Sequence, residues 1–397
     1  MKKSKLVMVG NGMAGVRTLE ELLKIAPEFY DITVFGAEPH PNYNRILLSP
    51  VLAGEQTLEE IVLNDWSWYT DHGITLHAGY KVTEVDRIKR IVHAVGPNGE
   101  KVSAEYDRLI MATGSNPFIL PIPGKDLEGV LAYRDIADTQ AMIDAATTYK
   151  HAVVIGGGLL GLEAANGLMK RGMSVSVVHV APWLMERQLD DVAGKMLQAS
   201  LEERGMKFLI GAQTQELVGD KDDGKGGRVK AIRFKDGTEL PADLLVMAVG
   251  IRPNTALAES MRLHVNKGIV VSDTMQTVTD PRIYAVGECA AHRGIAYGLV
   301  APLFEQGKVL ATHLAEFGIG RYTGSLTSTK LKVTGIDLFS AGNFTGGDDT
   351  EEIVMSDPSG GVYKKLVIQD DKLVGACLYG DTVDGSWYFK LLREGRS

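Results

Sequence analysis

Cysteine is scarce in this sequence: only Cys289 and Cys377 occur among its 397 residues. Two thiols are too few for a four-thiolate metal site, an iron–sulfur cluster or a framework of several disulfides. No CxxC or CxxxxC spacing occurs, so the sequence contains no local redox dithiol. We therefore expect no metal site and no local dithiol chemistry.

An excess of basic residues is also missing, because 42 Lys and Arg stand against 50 Asp and Glu, for a net charge of −8. This balance argues against nucleic-acid binding, which needs a basic face. No apolar run approaches the roughly 18 residues of a membrane span. The N-terminus lacks the apolar region and cleavage site of a signal peptide. These absences predict a cytoplasmic protein that binds neither nucleic acid nor a membrane.

Glycine, by contrast, is abundant, with 45 residues, and two glycine-containing segments resemble each other. Lys5–Leu23 and His151–Leu168 each read as an apolar strand, a glycine-rich turn and a helix. Further strands are predicted at Asp31–Phe35 after the first segment and at Ser174–His179 after the second. Two right-handed strand–helix–strand units follow from this pattern, each the core of a nucleotide-binding domain.

Later strands complete the predicted fold. The apolar runs in Tyr106–Gly114 and Asp243–Gly250 suit strands that are buried on both faces of a parallel sheet. Ile283–Gly287 reads as a strand that returns the chain to the first domain, and the alternating pattern from about Tyr322 suits a small antiparallel sheet. We predict an α/β fold with two Rossmann-like domains of three-layer ββα architecture, the second inserted in the first, and a small α+β C-terminal domain. The predicted boundaries are residues 1–116 and 251–320 for the first domain, 117–250 for the second and 321–397 for the third.

The first glycine turn has the spacing GxGxxG, at Gly10, Gly12 and Gly15. The first glycine allows the tight turn, the second allows close approach to a pyrophosphate, and the third allows helix and strand to pack closely. The pyrophosphate then lies at the N-terminus of the helix. An acid at the end of the next strand usually binds the ribose, and we assign that role to Glu38. The alternative is that Glu38 is only a surface carboxylate.

The second turn repeats the spacing at Gly156, Gly158 and Gly161. His179 stands at the end of the following strand, where an acid would favour NAD and an arginine NADP. It is predicted either to contact the nucleotide or to make one strand-end hydrogen bond. Glu163, in the first helical turn, either orients the nicotinamide amide or only interacts with the helix dipole. A hydride donor must come within about 3–3.5 Å of its acceptor, which adjacent dinucleotide domains can achieve.

These motifs together resemble the FAD-dependent pyridine-nucleotide reductase family. The resemblance covers essentially the whole chain and rests on Gly10–Gly15, Ala112–Gly114, Gly156–Gly161, Ala248–Gly250 and Tyr284–Glu288. It implies that the first fingerprint binds FAD and the second binds NAD(P)H. It further implies cofactor contacts at Met13, Ala14, Val82, Ala112, Thr113, Gly114, Leu159, Leu160, Gly250, Gly287, Glu288 and Pro302.

Some family positions differ in this sequence. Glu288 stands where the family usually has Asp, so the resemblance carries the flavin contact to a longer carboxylate. The helix from Pro302 is expected to direct its N-terminus at the N1–O2 edge of the flavin. The segment Tyr43–Pro50 has no cysteine, which excludes a thiol–disulfide relay there, and Pro50 replaces a lysine common in rubredoxin and ferredoxin reductases. Within that segment, Arg45 is expected either to contact FAD or to form a surface ion pair.

A narrower resemblance links His40–Pro50, Pro182–Asp190 and Thr327–Gly342 to the flavin-containing N-terminal region of assimilatory NAD(P)H nitrite reductase large subunits. In the third segment, Lys330 and its neighbour Lys332 face the flavin, the protein acceptor or only solvent. The resemblance implies that electrons pass from NAD(P)H through FAD to a nitrite or nitrate reductase component, without a catalytic side chain.

Other functions remain open at this point. The chain could reduce a rubredoxin or ferredoxin, reduce dioxygen as an NADH oxidase, or act as a flavin-binding NADH sensor. With two cysteines it is not expected to reduce nitrite by itself, since that chemistry uses an iron–sulfur module and a sirohaem domain in the proteins it resembles. The sequence leaves open the choice between NADH and NADPH and whether the chain forms a homodimer.

Overall fold

The computed structural model describes residues 3–221 and 224–395. The chain divides into two units. The first unit comprises Met1–Arg45, Leu58–Asn116 and Ile251–Ser325, and the second comprises Ile46–Thr57, Pro117–Gly250 and Leu326–Ser397. Among the described residues, no helix is long and apolar enough to cross a membrane.

Residues 4–117 alternate helices with strands and include the antiparallel meander β6-β7-β8. The elements are β1 (Ser4–Val9), α1 (Met13–Ile25), β2 (Tyr30–Gly36), β3 (Asn42–Tyr43), a 3₁₀ turn (Arg45–Leu47), α2 (Leu48–Leu52), a second 3₁₀ turn (Glu59–Ile61), β4 (Val62–Asn64), α3 (Trp66–Asp71), β5 (Thr75–Ala78), β6 (Lys81–Asp86), β7 (Ile91–Val95), β8 (Lys101–Glu105), β9 (Arg108–Met111) and β10 (Ser115–Pro117).

The middle of the chain repeats the plan. Its elements are β11 (Val130–Ala132), α4 (Ile136–Thr148), β12 (His151–Ile155), α5 (Leu159–Lys170), β13 (Ser174–His179), α6 (Asp191–Glu203), β14 (Lys207–Ile210), β15 (Thr214–Gly219), β16 (Val229–Phe234), β17 (Glu239–Pro241) and β18 (Leu244–Met247).

The remaining elements return to the first unit and then form the C-terminal sheet. They are β19 (Ile251–Pro253), α7 (Ala256–Ser260), β20 (Ile269–Val271), β21 (Ile283–Ala285), β22 (Ala290–His292), α8 (Val300–Leu314), β23 (Ser328–Val333), β24 (Ile336–Gly342), β25 (Glu351–Asp357), β26 (Val362–Gln369), β27 (Lys372–Tyr379) and α9 (Gly385–Glu394).

The first unit is built on a parallel five-stranded sheet in the order β21-β9-β1-β2-β5. Its central strands are buried, as the apolar runs predict, because α1 and α8 pack on the sheet and on each other. The antiparallel ribbon β6-β7-β8 adds to the same hydrophobic core. β1 pairs with both β2 and β9, so the strand order reverses there. A ligand crevice is expected outside the carboxyl ends of these strands.

The second unit contains an equivalent parallel sheet in the order β11-β18-β12-β13-β14, with β12 pairing with both β13 and β18. An antiparallel ribbon, β15-β16-β17, packs into its core. The C-terminal sheet, in the order β23-β24-β27-β26-β25, is antiparallel, and α9 packs on it. The predicted α/β class, with two parallel sheets and a small C-terminal sheet domain, is confirmed.

Candidate functional site

The first glycine turn lies between β1 and α1, at the point where the strand order reverses. Gly10 has φ +107°, and a Cβ there would lie 2.0 Å from the carbonyl oxygen of Ala112. A Cβ on Gly15 would lie 2.9 Å from the Ala112 side chain, so α1 packs closely on the strand. Around Gly12, in contrast, no atom lies within 4 Å of the Cβ position. The middle glycine therefore leaves space beside the helix N-terminus.

Glu38 and Arg45 lie together beyond the end of β2. The Arg45 guanidinium donates to Glu38 at 2.6 Å, and the Tyr43 hydroxyl donates to the same carboxylate at 2.7 Å. The guanidinium also lies over the Tyr43 ring, 5.0 Å from its centre. Each of the two charged side chains is about one-quarter exposed (27%). The two predicted cofactor contacts thus form one partly exposed cluster, with Tyr43 as a member that the sequence analysis did not single out.

Residues Ala112, Thr113 and Gly114 follow β9 and lie beside the first turn. The Thr113 hydroxyl donates to the backbone oxygen of Asn254 at 2.7 Å, and the Asn254 backbone N–H donates to Gly114 at 2.9 Å. These bonds fix the loop to the segment that returns from residue 251. The backbone of the loop is therefore held in place where the crevice is expected.

The returning motif is held by two polar side chains. Glu288 accepts a hydrogen bond from the Ser115 hydroxyl, and Gln306 accepts one from the Gly287 N–H at 3.1 Å. Gln306 is fully buried, and its amide nitrogen has no hydrogen bond to any described residue. Pro302 lies in the first turn of α8, which begins at Val300 without a side-chain cap. The uncapped N–H groups at the N-terminus of α8 suit a ligand atom that carries partial negative charge.

The second glycine turn reproduces the first. A Cβ on Gly156 would lie 2.1 Å from the carbonyl oxygen of Ala248, and one on Gly161 would lie 1.9 Å from the Gly156 oxygen. The Cβ position of Gly158 again has no atom within 4 Å. Gly158 is the N-cap residue of α5 and provides no side-chain cap, whereas α4 and α6 are capped by Asp135 and Asp190.

The structure therefore fits two dinucleotides. Both glycine turns leave a cradle that a Cβ would fill, and both precede helices of at least 12 residues whose first N–H groups lack a side-chain partner. Uncapped N–H groups at a glycine-lined helix N-terminus are a typical pyrophosphate site.

Glu163 projects from α5 toward other residues of the second unit. Its carboxyl group accepts a hydrogen bond from the Ser49 hydroxyl at 2.7 Å, and the Tyr133 hydroxyl donates to Ser49 at 3.1 Å. Burial raises the pKa of Glu163, and the Ser49 hydrogen bond opposes this shift to a smaller degree. Glu163 is therefore a partly buried acid in a hydroxyl network, and not a solvent-exposed helix-dipole carboxylate.

His179 ends β13 and is buried. Its Nδ1 accepts a hydrogen bond from the Gly157 N–H at 2.9 Å, and its Nε2 lies 2.9 Å from a carboxylate oxygen of Glu186. His179 therefore makes two hydrogen bonds, and one of them supports the glycine turn. Glu186, which the sequence analysis did not single out, brings a carboxylate to the strand end.

The other predicted contacts lie at several places. Met13 and Ala14 begin α1, and Leu159 and Leu160 begin α5, so all four line helix N-termini. The remaining three are Val82 on β6, half-buried against the first core; Gly250, after β18; and Lys330, exposed on β23.

Both cysteines are buried and unpaired. Burial raises the pKa of Cys289, and it raises the pKa of Cys377 to about 12. A thiolate is the reactive form of cysteine, so neither residue is suited to thiol chemistry at neutral pH. Ser49, on α2, lies in the cysteine-free segment Tyr43–Pro50.

Several residues at these sites were missed from the sequence. Gln306 had a detectable signal, since it is a polar residue on the apolar face of α8 that also carries Pro302 and Leu310. Asn254 and Ser115 had none, because their partners are distant in the sequence. Glu186 looked like one of several acids in a loop.

Comparison with known proteins agrees with this geometry. The family described as "Pyridine nucleotide-disulphide oxidoreductase" matches residues 4–313, and the "Rubredoxin NAD+ reductase C-terminal domain" matches residues 328–396. The chain is 54% identical over 394 residues to "Nitrite reductase [NAD(P)H]" of Bacillus subtilis (strain 168), which covers 99% of this chain and 48% of that protein. It is 50% identical over 384 residues to the "Assimilatory nitrate reductase electron transfer subunit" of the same strain, covering 97% of this chain and 48% of that protein.

These two relatives are longer proteins, and the chain spans about half their length. Among solved structures, the covalent putidaredoxin reductase–putidaredoxin complex superposes with a TM-score of 0.85 and 26% identity, covering 100% of this chain and 94% of that one. The predicted family resemblance and the predicted use of FAD and NAD(P)H are confirmed. The chain belongs to the pyridine nucleotide-disulphide oxidoreductase family.

Proposed function

We propose that this protein oxidises NAD(P)H with bound FAD and passes the electrons to a separate acceptor protein, as the electron-input component of a nitrite or nitrate reductase system. The observation that carries the proposal is the pair of glycine turns, each with an open cradle and an uncapped helix at the strand-order reversal of its own sheet. Two such sites suit one resident and one exchanging dinucleotide. Bound FAD supplies the conversion of a two-electron hydride donor into single-electron steps.

The residues of the first unit are assigned to FAD. The N-terminus of α1 beside Gly12 would hold the pyrophosphate, and the cluster of Glu38, Tyr43 and Arg45 the adenosine part. Glu288, oriented by Ser115, would accept from a ribityl hydroxyl. The uncapped N-terminus of α8 would stabilise negative charge on the reduced ring.

The second unit is assigned to NAD(P)H. The N-terminus of α5 beside Gly158 would hold its pyrophosphate. Glu163, whose carboxyl group accepts from a Ser49 hydroxyl that is itself bonded by Tyr133, would position the nicotinamide amide. A protonated carboxyl group donates a hydrogen bond and an ionised one accepts, so this group suits an amide that carries both a donor and an acceptor.

The acceptor is proposed from the relatives. One is named as a nitrite reductase and another as an electron transfer subunit of assimilatory nitrate reductase, and both match almost the whole of this chain. The cysteine-free segment Tyr43–Pro50 supports direct exit of electrons from the flavin, without a disulfide relay. Two unpaired cysteines fit a reducing cytoplasmic location, which is part of the proposal. We propose the domain boundaries of the sequence analysis as functional boundaries.

The match of residues 328–396 to a rubredoxin reductase domain favours one second candidate, a rubredoxin or ferredoxin reductase. An acceptor screen separates the two. The purified protein, supplied with FAD, is mixed anaerobically with NADH and then with ferricyanide, rubredoxin, ferredoxin, or a nitrite or nitrate reductase component. Bleaching of the flavin with turnover on ferricyanide supports the enzyme, and the fastest protein acceptor identifies the system. Bleaching without turnover on any carrier would support an NADH sensor. Rapid reoxidation of the reduced flavin when air is admitted would support an oxidase.

A further inference from the structure

The choice between NADH and NADPH is set at the end of β13 in this fold. In dinucleotide-binding domains, a carboxylate at this point binds the adenosine ribose hydroxyls, and an arginine accommodates a 2′-phosphate. This chain has His179 at that position, so the strand itself provides neither group. A carboxylate does lie beside it, because an oxygen of Glu186 is 2.9 Å from the His179 Nε2.

The hydrogen bonds define the state of the imidazole. The Gly157 N–H donates to Nδ1 at 2.9 Å, so Nδ1 carries the lone pair. The ring proton of a neutral imidazole is then on Nε2, where it donates to Glu186. This places a negatively charged acceptor, and no imidazolium cation, at the strand end. Glu186 keeps about one-third of its side chain exposed (35%), so the carboxylate remains accessible to a ligand.

Hydrogen bonds and a buried side chain fix the backbone around Glu186. Met185 donates its N–H to the Gly157 oxygen at 3.0 Å, so this loop is bonded directly to the glycine turn. Met185 has φ +53°, an uncommon conformation for a residue with a side chain, and it turns the chain immediately before Glu186. Leu184 is fully buried, and the Trp183 indole donates to the Leu189 oxygen at 2.9 Å. The carboxylate therefore stands on a fixed support.

The packing of His179 against the turn also explains why the middle residue of Gly156–Gly158 is a glycine. A Cβ on Gly157 would lie 2.8 Å from the His179 ring and 2.6 Å from Leu184. Arg187, the next residue after Glu186, is exposed, and no ion pair or hydrogen bond fixes it in the part of the chain that the structure describes. Of the two charged side chains, only Glu186 is held in place by a hydrogen bond at the proposed ribose position.

We propose that Glu186, held by His179, is the residue that selects NADH over NADPH, because its carboxylate accepts from the adenosine ribose hydroxyls and repels a 2′-phosphate. This inference rests on the proposed function, since it assigns a ligand to the second glycine turn. On this assignment the loop residue Glu186 provides the carboxylate that the end of the strand lacks.

Binding of nucleotide fragments tests the proposal without turnover. The FAD-loaded protein is titrated calorimetrically with ADP-ribose and with 2′-phospho-ADP-ribose. We expect ADP-ribose to bind at least tenfold more tightly, because loss of charge-assisted hydrogen bonds and a like-charge contact weaken binding by about tenfold to a hundredfold. In Glu186→Gln the ratio should fall to about threefold or less, while the melting temperature stays close to that of the wild type.

Glu203→Gln is the matched control, since Glu203 is an exposed carboxylate at the far end of α6. It should keep the wild-type ratio. In steady-state assays, Glu186→Gln should raise KM for NADH with little change in kcat, because the residue contacts the adenosine end and not the reacting ring.

Four outcomes would overturn the inference. Equal binding of both fragments by the wild type, or an unchanged ratio in Glu186→Gln, refutes it and leaves the proposed function standing. Tighter binding of 2′-phospho-ADP-ribose than of ADP-ribose would point to Arg187. That result also refutes the inference and leaves the proposed function standing. Binding of neither fragment, in protein that is folded and yellow, refutes the dinucleotide assignment of the second turn together with this inference.

Discussion

Replacing Gly158 by alanine should separate cofactor binding from folding. Gly158 has φ −82° and ψ −179°, an extended conformation open to any residue, and no atom lies within 4 Å of its Cβ position. Alanine is a poorer N-cap than glycine by up to about 1 kcal/mol. It also restricts the unfolded chain, which contributes about 0.4–1 kcal/mol in the opposite direction. The free energy of unfolding should therefore change by no more than about 0.5 kcal/mol.

The same methyl group occupies the space beside the uncapped N-terminus of α5, where a pyrophosphate would lie. Displacing the phosphate by a few tenths of an ångström weakens at least one charge-assisted hydrogen bond, worth about 1.5–3 kcal/mol. The dissociation constant of NADH should rise by about tenfold to a hundredfold. The assay is titration of the FAD-loaded protein with NAD⁺ or NADH by calorimetry, together with urea unfolding monitored by circular dichroism.

Gly347→Ala provides the matched control, because its Cβ position is also open and its φ is not positive, but it lies in a loop of the C-terminal sheet domain. It should leave both NADH binding and stability unchanged. If Gly158→Ala is folded and binds NADH as tightly as the wild type, the second glycine turn is not a pyrophosphate site. If Gly158→Ala lowers the free energy of unfolding by several kcal/mol, the space around the Gly158 Cβ position is not open.

Three further predictions concern Gly10, Tyr363 and Glu163. Gly10→Ala should destabilise the protein by at least about 2 kcal/mol and abolish FAD retention, measured by urea unfolding and flavin absorbance, because its Cβ would meet the Ala112 oxygen at 2.0 Å and its φ is +107°. Tyr363→Phe should cost about 1–3 kcal/mol in urea unfolding, because the hydroxyl donates at 2.6 Å to the buried Asp190, which caps α6. Glu163→Gln should gain thermal stability relative to the wild type as pH rises, measured by melting temperature from roughly pH 5 to pH 9.

The sign of the last prediction follows from the direction of the pKa shift. Burial raises the pKa of Glu163 above 4.5, so the folded state binds this proton more tightly than the unfolded state. Its contribution to stability is complete below the unfolded pKa and is lost as pH rises through the folded pKa. A difference between Glu163→Gln and the wild type that is independent of pH would contradict this.

The other two predictions also have matched controls. Gly12→Ala tests the first turn without a clash, since its Cβ position is open, and it should lower flavin content without a comparable loss of stability. Tyr388→Phe removes a half-buried hydroxyl for which no hydrogen bond is found in the described part of the chain, and it should cost less than Tyr363→Phe. Equal losses for the two tyrosines would show that the Asp190 bond contributes little.

The sequence by itself determined the parts of this protein that depend on local pattern. The glycine spacing at Gly10–Gly15 and Gly156–Gly161 can be read directly, because strand, turn and helix follow one another within about 20 residues. Apolar runs identified the central strands, because strands covered on both faces must be apolar throughout. The lack of cysteine in Tyr43–Pro50 excluded a disulfide relay at that segment, since the residues can be read directly.

Tertiary structure alone decided which polar side chains meet. Glu163 bonds to Ser49, 114 residues earlier, and Ser115 bonds to Glu288, 173 residues later. No sequence period relates such pairs, because the packing of strands and helices brings them together. The same holds for His179: the residue at the strand end was evident, but only the left-handed turn at Met185 brought Glu186 to its ring. Site chemistry that depends on contacts between distant residues therefore cannot be predicted before the path of the backbone is known.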